Sequence, residues 1–264
     1  MRINHNITAM NTYRQYNNNT VNTNKAMEKL SSGLRINRAA DDAAGLSISE
    51  KMRSQIRGLT QATRNAQDGV SFIQTAEGAL NEVSDMLVRL KELATQVVNG
   101  TYSSNDTANI GSEMKALGTA IDNIYTNTKF NGIDVFGKGA KIQYGEDGKQ
   151  TVDITAITKD SKTALYNATQ AGFAGVTDDV VEAAITEVNT ARATYGAQQN
   201  QLEHASNNMA TTKENLQAAE GRVRDVDMAE EMMNYTKNNI LLQAAQAMLA
   251  QANAQPQGVL QLLQ

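Results

Sequence analysis

Apolar residues recur at every seventh position along two long stretches of this chain. The first set comprises Met52, Leu59, Ala66, Ile73, Leu80, Leu87 and Ala94. The second set comprises Val181, Val188, Tyr195, Leu202, Met209, Leu216 and Val223. A seven-residue repeat of this kind is typical of α-helices that pack along a coiled-coil seam. The pattern therefore predicts two long helices, the first extending about 70 Å at 1.5 Å per residue.

Each seam has a second row of positions beside it. In the first helix we expect this row to be Ile56, Thr63, Val70 and Glu77, followed after a change of side near Glu77 by Val83, Leu90 and Val97. In the second helix the row is rich in Ala, which would let a partner helix approach closely. We expect the second helix to continue to about Ala254, because Pro256 disfavours the helical conformation in the residue before it.

Both ends of the chain combine apolar residues with very little charge. Residues 238–264 have no charged side chain, and residues 1–24 have only Arg2 and Arg14. We expect a helix over residues 3–30 and another at the C-terminal end. Their principal packing residues are Ile3, Ile7, Met10, Val21, Ile240, Leu241 and Met248. This pattern predicts helices that are covered only when they pack on each other and on neighbouring copies of the chain.

The region between the two seams contains a shorter helix and then a change of period. The shorter helix is predicted by Ile110, Met114, Leu117, Ile121 and Ile124. We expect Asn131-Gly132 to end it. Apolar and polar residues then alternate on both sides of residues 145–148, which predicts a β-hairpin, the only β structure that we expect. The predicted fold class is mainly α, an elongated antiparallel helical bundle or coiled coil with a small β-hairpin at the tip.

Composition argues against several classes of function. The 264 residues include no Cys, which excludes disulfides, Cys-ligated metals and a Cys nucleophile. The net charge is −4 with both signs mixed, so we expect no nucleic-acid partner. Ten Asn and Gln residues lie in the last 27 positions, so we expect no membrane span there. The first ten residues lack the apolar core of a secretory signal peptide.

Two charged clusters have structural interpretations. Asp41-Asp42 is interpreted as a loop and helix-start signal, with Arg35 or Arg38 as an ion-pair partner. Residues 222–227 contain both signs of charge, Arg222 and Arg224 followed by Asp225 and Asp227, which predicts ion pairing along the helix or between subunits. His5 and His204 are the only histidines and lie in different parts of the predicted fold. We therefore expect no catalytic residue, no metal site, no cofactor and no enzymatic activity.

Several local sequences are more specific than this architecture. They are LSSGLRINRAADDAAGL at residues 30–46, QDGVSFIQTAEGAL at 67–80, FNG at 130–132, RVRDVDM at 222–228, QAAQAMLAQAN at 243–253 and QPQ at 255–257. The first three resemble the N-terminal block of bacterial flagellins, and the last three resemble the C-terminal block. The resemblance covers roughly residues 1–136 and 178–264. It implies the structural subunit of the flagellar filament, a helical polymer of this chain that serves motility.

The resemblance also implies a domain plan. Flagellins have an inner-tube domain, D0, and an outer-tube domain, D1. We expect the N-terminal D0 helix and its connecting segment at 1–44, the N-terminal D1 helices with the hairpin at 45–177, the C-terminal D1 helix at 178–220 and the C-terminal D0 helix at 221–264. The D1 seam would include Leu59, Ile73, Leu80, Leu87, Val188, Leu202 and Met209. Since about 40 residues separate the two matching blocks, we expect a short form without outer domains.

Partners and location follow from the same resemblance. Flagellins leave the cell unfolded through the flagellar type III apparatus, which reads an uncleaved N-terminal sequence, so we expect a secreted protein of the extracellular flagellum. An export chaperone and the filament cap are the expected bacterial partners. A hook-filament junction protein and a non-polymerising coiled-coil adaptor are the alternative functions.

A host Toll-like receptor is a further expected partner. The sequence VRLKELA at residues 88–94 aligns with the motif that this receptor reads in responsive flagellins. Arg89, Glu92, Leu93 and Glu113 match the family pattern, whereas Val88 and Lys91 depart from it. Lys cannot reproduce a bidentate contact made by Arg, so we expect weakened recognition. The same residues would serve as contacts between protofilaments, and as charges without a partner they would be an ordinary solvated helix face.

Overall fold

The computed structural model describes residues 6–137, 139–145, 148–154 and 176–262, with side chains as far as residue 255. Its helices are α1 (Ile7–Ser32), α2 (Ala43–Val98), α3 (Ser104–Asn127), α4 (Asp178–Arg224) and α5 (Met228–Leu262). Its strands are β1 (Lys129–Phe130), β2 (Ile133–Asp134), β3 (Ala140–Gln143) and β4 (Thr151–Ile154). The mainly α fold with a small β-hairpin is confirmed.

The chain forms two compact units. The middle unit spans Gln55–Glu214, and the terminal unit combines Met1–Ser54 with Asn215–Gln264. The finer division into four segments at residues 44, 177 and 220 stays a prediction.

The core of the middle unit runs along α2. Its main rows of buried positions are Leu59, Ala62, Ala66, Gly69, Ile73, Ala76, Leu80, Val83, Leu87, Leu90 and Ala94, and Phe72 and Leu93 are buried beside them. The positions of the main rows are spaced alternately by three and four residues without interruption, so the expected change of side near Glu77 was wrong. The companion row begins with Ala62, Gly69 and Ala76. Because these residues are small, a pattern of large apolar side chains does not include them.

The hairpin packs against both long helices of the middle unit. Asn65 of α2 donates from Nδ2 to the Gln143 carbonyl at 3.0 Å, and Gln198 of α4 donates from Nε2 to the Asp153 carbonyl at 3.0 Å. A Cβ placed on Gly69 would lie 3.1 Å from side-chain atoms of both Ile142 and Leu202. The missing side chain at Gly69 therefore lets α2, α4 and β3 approach one another.

The β3–β4 hairpin has the predicted position and an antiparallel register. Ala140 pairs with Ile154, and Gln143 pairs with Thr151. Glu146 and Asp147 of its predicted turn lie outside the described residues.

A second, shorter hairpin joins β1 to β2 through Asn131-Gly132. The expectation that this dipeptide ends a helix was wrong, because α3 already ends at Asn127. Asn131 has φ 49° and Gly132 has φ 79°. Two consecutive residues with positive φ are what a two-residue type I′ turn requires, and Asn-Gly is the commonest dipeptide that supplies them.

In the terminal unit α1 runs antiparallel to α5. Asn6 at the start of α1 contacts Ala252 near the end of α5, and the Val226 N–H donates to the Gly33 carbonyl at 3.1 Å at the opposite end. Gly33 ends α1 with φ 72°, a left-handed conformation that glycine adopts without strain.

The expected single helix to Ala254 was wrong in two places. The helix is interrupted at residues 225–227, where the Asp227 carboxylate accepts the Ala229 N–H at 2.9 Å and begins α5. Asp225 pairs there with Leu34 in an antiparallel bridge. Further on, α5 continues through Pro256 to Leu262.

Candidate functional site: surfaces for assembly

Helix α1 has a small inner face and a large apolar outer face. The less exposed positions include Ala9, Thr12, Tyr16, Thr23 and Ala26, spaced by three, four or seven residues. The exposed apolar residues are Ile7, Met10, Tyr13, Val21 and Met27. Met10 is 68% exposed, although burying a side chain of this size is worth roughly 1.5–3 kcal/mol. The exposed side of α1 therefore carries five large apolar side chains that the single chain leaves uncovered, among polar ones.

Helix α5 repeats this arrangement. Its less exposed positions include Leu242, Ala245, Leu249 and Ala252, while Met232, Met233, Ile240, Leu241 and Met248 are exposed. Ile240 is 62% exposed. No charged residue follows Lys237, so the exposed apolar atoms beyond it have only amide side chains around them. Surfaces of this kind mark contacts with other molecules.

The residues predicted to pack the terminal helices therefore lie on the exposed sides of α1 and α5. Ile7, Met10, Val21, Ile240, Leu241 and Met248 are all exposed, and Ile3 lies outside the described residues. The expectation for them is packing on the other terminal helix and on neighbouring copies, and in the single chain these six are exposed. Packing on neighbouring copies stays the prediction for them.

Hydrogen bonds join the segment after α1 to the C-terminal end of α4 in the terminal unit. The Arg35 N–H donates to the Arg224 carbonyl at 2.7 Å, and the Arg35 guanidinium donates from Nη2 to the Val223 carbonyl at 2.7 Å. Arg224 in turn donates from Nη1 to Glu50 Oε1 at 2.7 Å, and this bond lowers the pKa of Glu50. The charges predicted to pair near residue 224 thus include a partner on α2 that the sequence did not indicate.

The two aspartates before α2 are structural. Asp42 accepts the Gly45 N–H at 2.9 Å, and Asp41 accepts the N–H groups of Arg38 at 3.0 Å and Asn37 at 3.2 Å. The backbone bond from Arg38 is the main cause of a lowered pKa at Asp41. The Arg38 side chain pairs instead with Glu28 at 2.9 Å, so the expected pairing of Arg35 or Arg38 side chains with these aspartates was wrong.

A charged fork joins α2 to α3 in the middle unit. Arg89 donates from Nη1 to Glu92 at 2.9 Å, and from Nε and Nη2 to Glu113 at 3.0 Å each. The hydrogen bonds to Glu92 and Glu113 raise the pKa of Arg89, and the bond to Glu92 has the larger effect. Leu93 is only 1% exposed and lies in the core, whereas Lys91 pairs with Glu182 at 3.6 Å. The exposed residues that a partner could touch here are thus Arg89, Glu92 and Glu113, with Val88 and Lys91 beside them, but not Leu93.

The predicted D1 seam residues all lie in the core. Leu59, Ile73, Leu80, Leu87, Val188, Leu202 and Met209 are buried. They stabilise the middle unit, and none of them is available to a partner.

Within the described residues, no group of three or more His, Asp or Glu side chains is placed to hold a metal ion. No described helix has a stretch long and apolar enough to cross a membrane.

Comparison with known proteins assigns both halves of the chain. The family model of the bacterial flagellin N-terminal helical region matches residues 3–140, and that of the C-terminal helical region matches residues 179–263. Flagellin of Halalkalibacterium halodurans is 50% identical, and flagellin of Bacillus subtilis is 47% identical, each over the full length of both chains. Among solved structures, the crystal structure of Bacillus cereus flagellin is 32% identical with a TM-score of 0.47, covering 55% of this chain and 88% of that chain.

The family matches cover both terminal helices and both long seam helices, and leave residues 141–178 between them. This chain belongs to the bacterial flagellins, a family of structural proteins, and is a subunit of the filament.

Proposed function

We propose that copies of this chain pack in the filament through the outer faces of α1 and α5. The observation that carries the proposal is the exposure of six large apolar residues on these faces: Ile7, Met10, Val21, Ile240, Leu241 and Met248. Covering each of them would contribute roughly 1.5–3 kcal/mol, so a repeated contact between subunits gains a large driving force. The near absence of charge on both segments means that few ions lose their hydration when the contact forms.

The test is an Ile240→Asp variant, with Ile240→Leu as its matched control. Heated, dissociated chain is mixed with short filament seeds, and the product is imaged by negative-stain microscopy. We expect long filaments from wild type and Ile240→Leu. The Ile240→Asp chain should stay soluble with unchanged helical content, because a carboxylate would be buried without a partner. Long filaments from Ile240→Asp would contradict the proposed surface. Soluble wild type despite fresh seeds would favour a junction protein or an adaptor.

We propose that the chain leaves the cell through the flagellar type III apparatus without cleavage and acts in the extracellular flagellum. The uncovered apolar face of α5 supports an export chaperone bound to the C-terminal helix before assembly. The filament cap would receive the chain at the growing end. Mass spectrometry of shed filaments should find an uncleaved N-terminal segment, and a trimmed one would contradict this route. We infer no catalytic activity, since the chain belongs to a family of structural proteins.

We propose that the fork of Arg89, Glu92 and Glu113 is the surface that a Toll-like receptor would contact on the dissociated subunit. All three side chains are about half exposed and held in one geometry by their mutual bonds. Leu93 would support the fork from the core and make no receptor contact. Binding of dissociated chain to the receptor ectodomain should weaken in Arg89→Ala, whereas equal binding would contradict the assignment.

A further inference from the structure

Pro256 removes a hydrogen bond from the last part of α5. In an α-helix each carbonyl accepts the N–H of the residue four positions later, and proline has no N–H. The carbonyl that loses its usual partner to Pro256 is that of Ala252. This residue is only 8% exposed, so water has little access to the lost bond. A buried carbonyl without a donor costs about 1–3 kcal/mol.

The missing donor is supplied by the other end of the chain. Asn6 donates from Nδ2 to the Ala252 carbonyl at 2.7 Å. The other side-chain atom of Asn6, Oδ1, accepts the Ala9 N–H at 3.0 Å and the Thr8 hydroxyl at 2.6 Å. The side-chain amide of Asn6 thus caps the start of α1 with its oxygen, and its nitrogen supplies the donor that the Ala252 carbonyl of α5 lacks.

We propose that Asn6 is a positioning residue that fixes the register of α1 against α5 at the gap made by Pro256. Only at residue 252 does the described part of α5 have a carbonyl that lacks its helical donor because of a proline, since Pro256 is the only proline in the chain. A slip of α1 by one turn moves Asn6 about 5.4 Å along α5, to carbonyls that already have a helical donor. The bond therefore discriminates between registers of α1 against α5.

The register matters because it places the outer faces of α1 and α5 relative to each other. In this respect the inference rests on the proposed assembly surfaces. The bond from Asn6 to the Ala252 carbonyl sets which turn of α1 lies beside which turn of α5. The exposed apolar residues of the two helices therefore have a fixed arrangement where a neighbouring subunit would contact them.

The test is a double-mutant cycle between residues 6 and 256. Asn6→Ser keeps a good helix cap but is too short to reach the Ala252 carbonyl. Pro256→Ala restores a backbone N–H to that carbonyl. The measured quantity is the concentration of soluble subunit that remains when seeded assembly reaches equilibrium.

We expect Asn6→Ser to raise this concentration roughly tenfold when residue 256 is proline, because the carbonyl is then buried without a donor. In the Pro256→Ala background the same substitution should change it by less than about twofold, because the helix then supplies its own donor. An equal loss in both backgrounds would show that Asn6 acts only as a cap, and no loss in either would show that the bond is dispensable. Both results would overturn the proposal.

A second readout separates this inference from the assembly proposal. Amide hydrogen exchange within residues 245–254 of the dissociated chain should accelerate in Asn6→Ser and return to the reference rate in the double variant. If no variant assembles on seeds, the proposed function fails while the exchange rates still decide the coupling. Unchanged exchange and an additive effect on assembly together would reject the role of Asn6.

Discussion

The middle and terminal units of this subunit treat their large apolar residues in opposite ways. In the middle unit Leu80, Leu90 and Leu202 are fully buried, and the exposed positions of α2 and α4 are mostly polar. In the terminal unit the less exposed positions include Ala26, Ala252, Leu242 and Leu249, whereas many of the large apolar residues, such as Met10 and Ile240, are exposed. The first unit completes its core by itself, whereas the second leaves many of its large apolar side chains exposed in the single chain.

This difference shows that rows of apolar residues on a helix can be buried in one unit of the chain and exposed in the other. A row of apolar residues on a helix predicts that the row is covered, but not by what. In the middle unit the same chain covers it. In the terminal unit a row of large residues is left exposed in the single chain, and our proposal is that neighbouring copies cover it.

The largest expected contrast comes from truncating one leucine in each unit. Leu80→Ala should lower the free energy of unfolding of the middle unit by about 2–5 kcal/mol, because it leaves a cavity in a closed core. Leu241→Ala should change the stability of the dissociated chain by less than about 0.5 kcal/mol, since Leu241 is exposed there. Calorimetry of both variants checks this pair, and similar losses would remove the distinction between the units.

A smaller effect is expected from adding one methyl group to α2. Gly69→Ala should destabilise the middle unit by about 1–3 kcal/mol, because its Cβ would press on Ile142 and Leu202. Gly78 lies in the same helix, and a Cβ added there would have no neighbouring atom within 4 Å, so Gly78→Ala should stabilise α2 by about 0.5–1 kcal/mol. Urea unfolding of the two variants should give shifts of opposite sign. Equal shifts would mean that Gly69 has room to spare.

The smallest effect concerns acid. The pKa of Glu50 lies below its ordinary value of 4.5 because Arg224 donates to its carboxylate. The folded terminal unit therefore binds the proton less tightly than the unfolded chain. This contribution to stability is present above about pH 4.5 and is lost as the pH falls through the lowered pKa. Glu50 is exposed, so the effect is small.

Exchange of the amides near residue 224, followed from pH 6 to pH 3, should show a weaker pH dependence in Glu50→Gln than in wild type. Asp106→Asn is the matched control in the middle unit, because Ser103 lowers the pKa of that carboxyl in the cap of α3. It should leave the exchange near residue 224 unchanged. An identical pH dependence in wild type and Glu50→Gln would contradict the assignment.

The sequence predicted those parts of the fold that depend on large side chains at regular spacing. The seven-residue rows at Leu59 to Leu87 and Val188 to Met209 are buried, and the alternation around residues 145–148 forms the expected hairpin. Local turn chemistry was interpreted less well. Asn131-Gly132 fits a helix stop and a hairpin turn equally, and only the pairing of Phe130 with Ile133 decides between them.

The features that the sequence did not predict depend on contacts between distant residues. Gly69 has no side chain to contribute to a pattern, and Glu50 is one of many acidic residues on a helix surface. Asn6 is one of many amides in an uncharged segment, and its role depends on a residue 246 positions later in the chain. Pro256 was the available signal, because its missing N–H requires a donor for the Ala252 carbonyl.

The terminal unit joins the first 54 residues to the last 50, so its pairing has a consequence for the order of folding. The contact of Asn6 with Ala252 closes a loop of nearly the whole chain, and that of Gly33 with Val226 closes one of about three quarters of it, and loops of that length form slowly. Helices α2 and α4 each continue along the chain from the middle unit into the terminal unit. Helix α1 therefore has no partner until the last segment of the polypeptide has been delivered. An incomplete chain cannot form the terminal unit, so a subunit must be complete before this unit can contact other subunits.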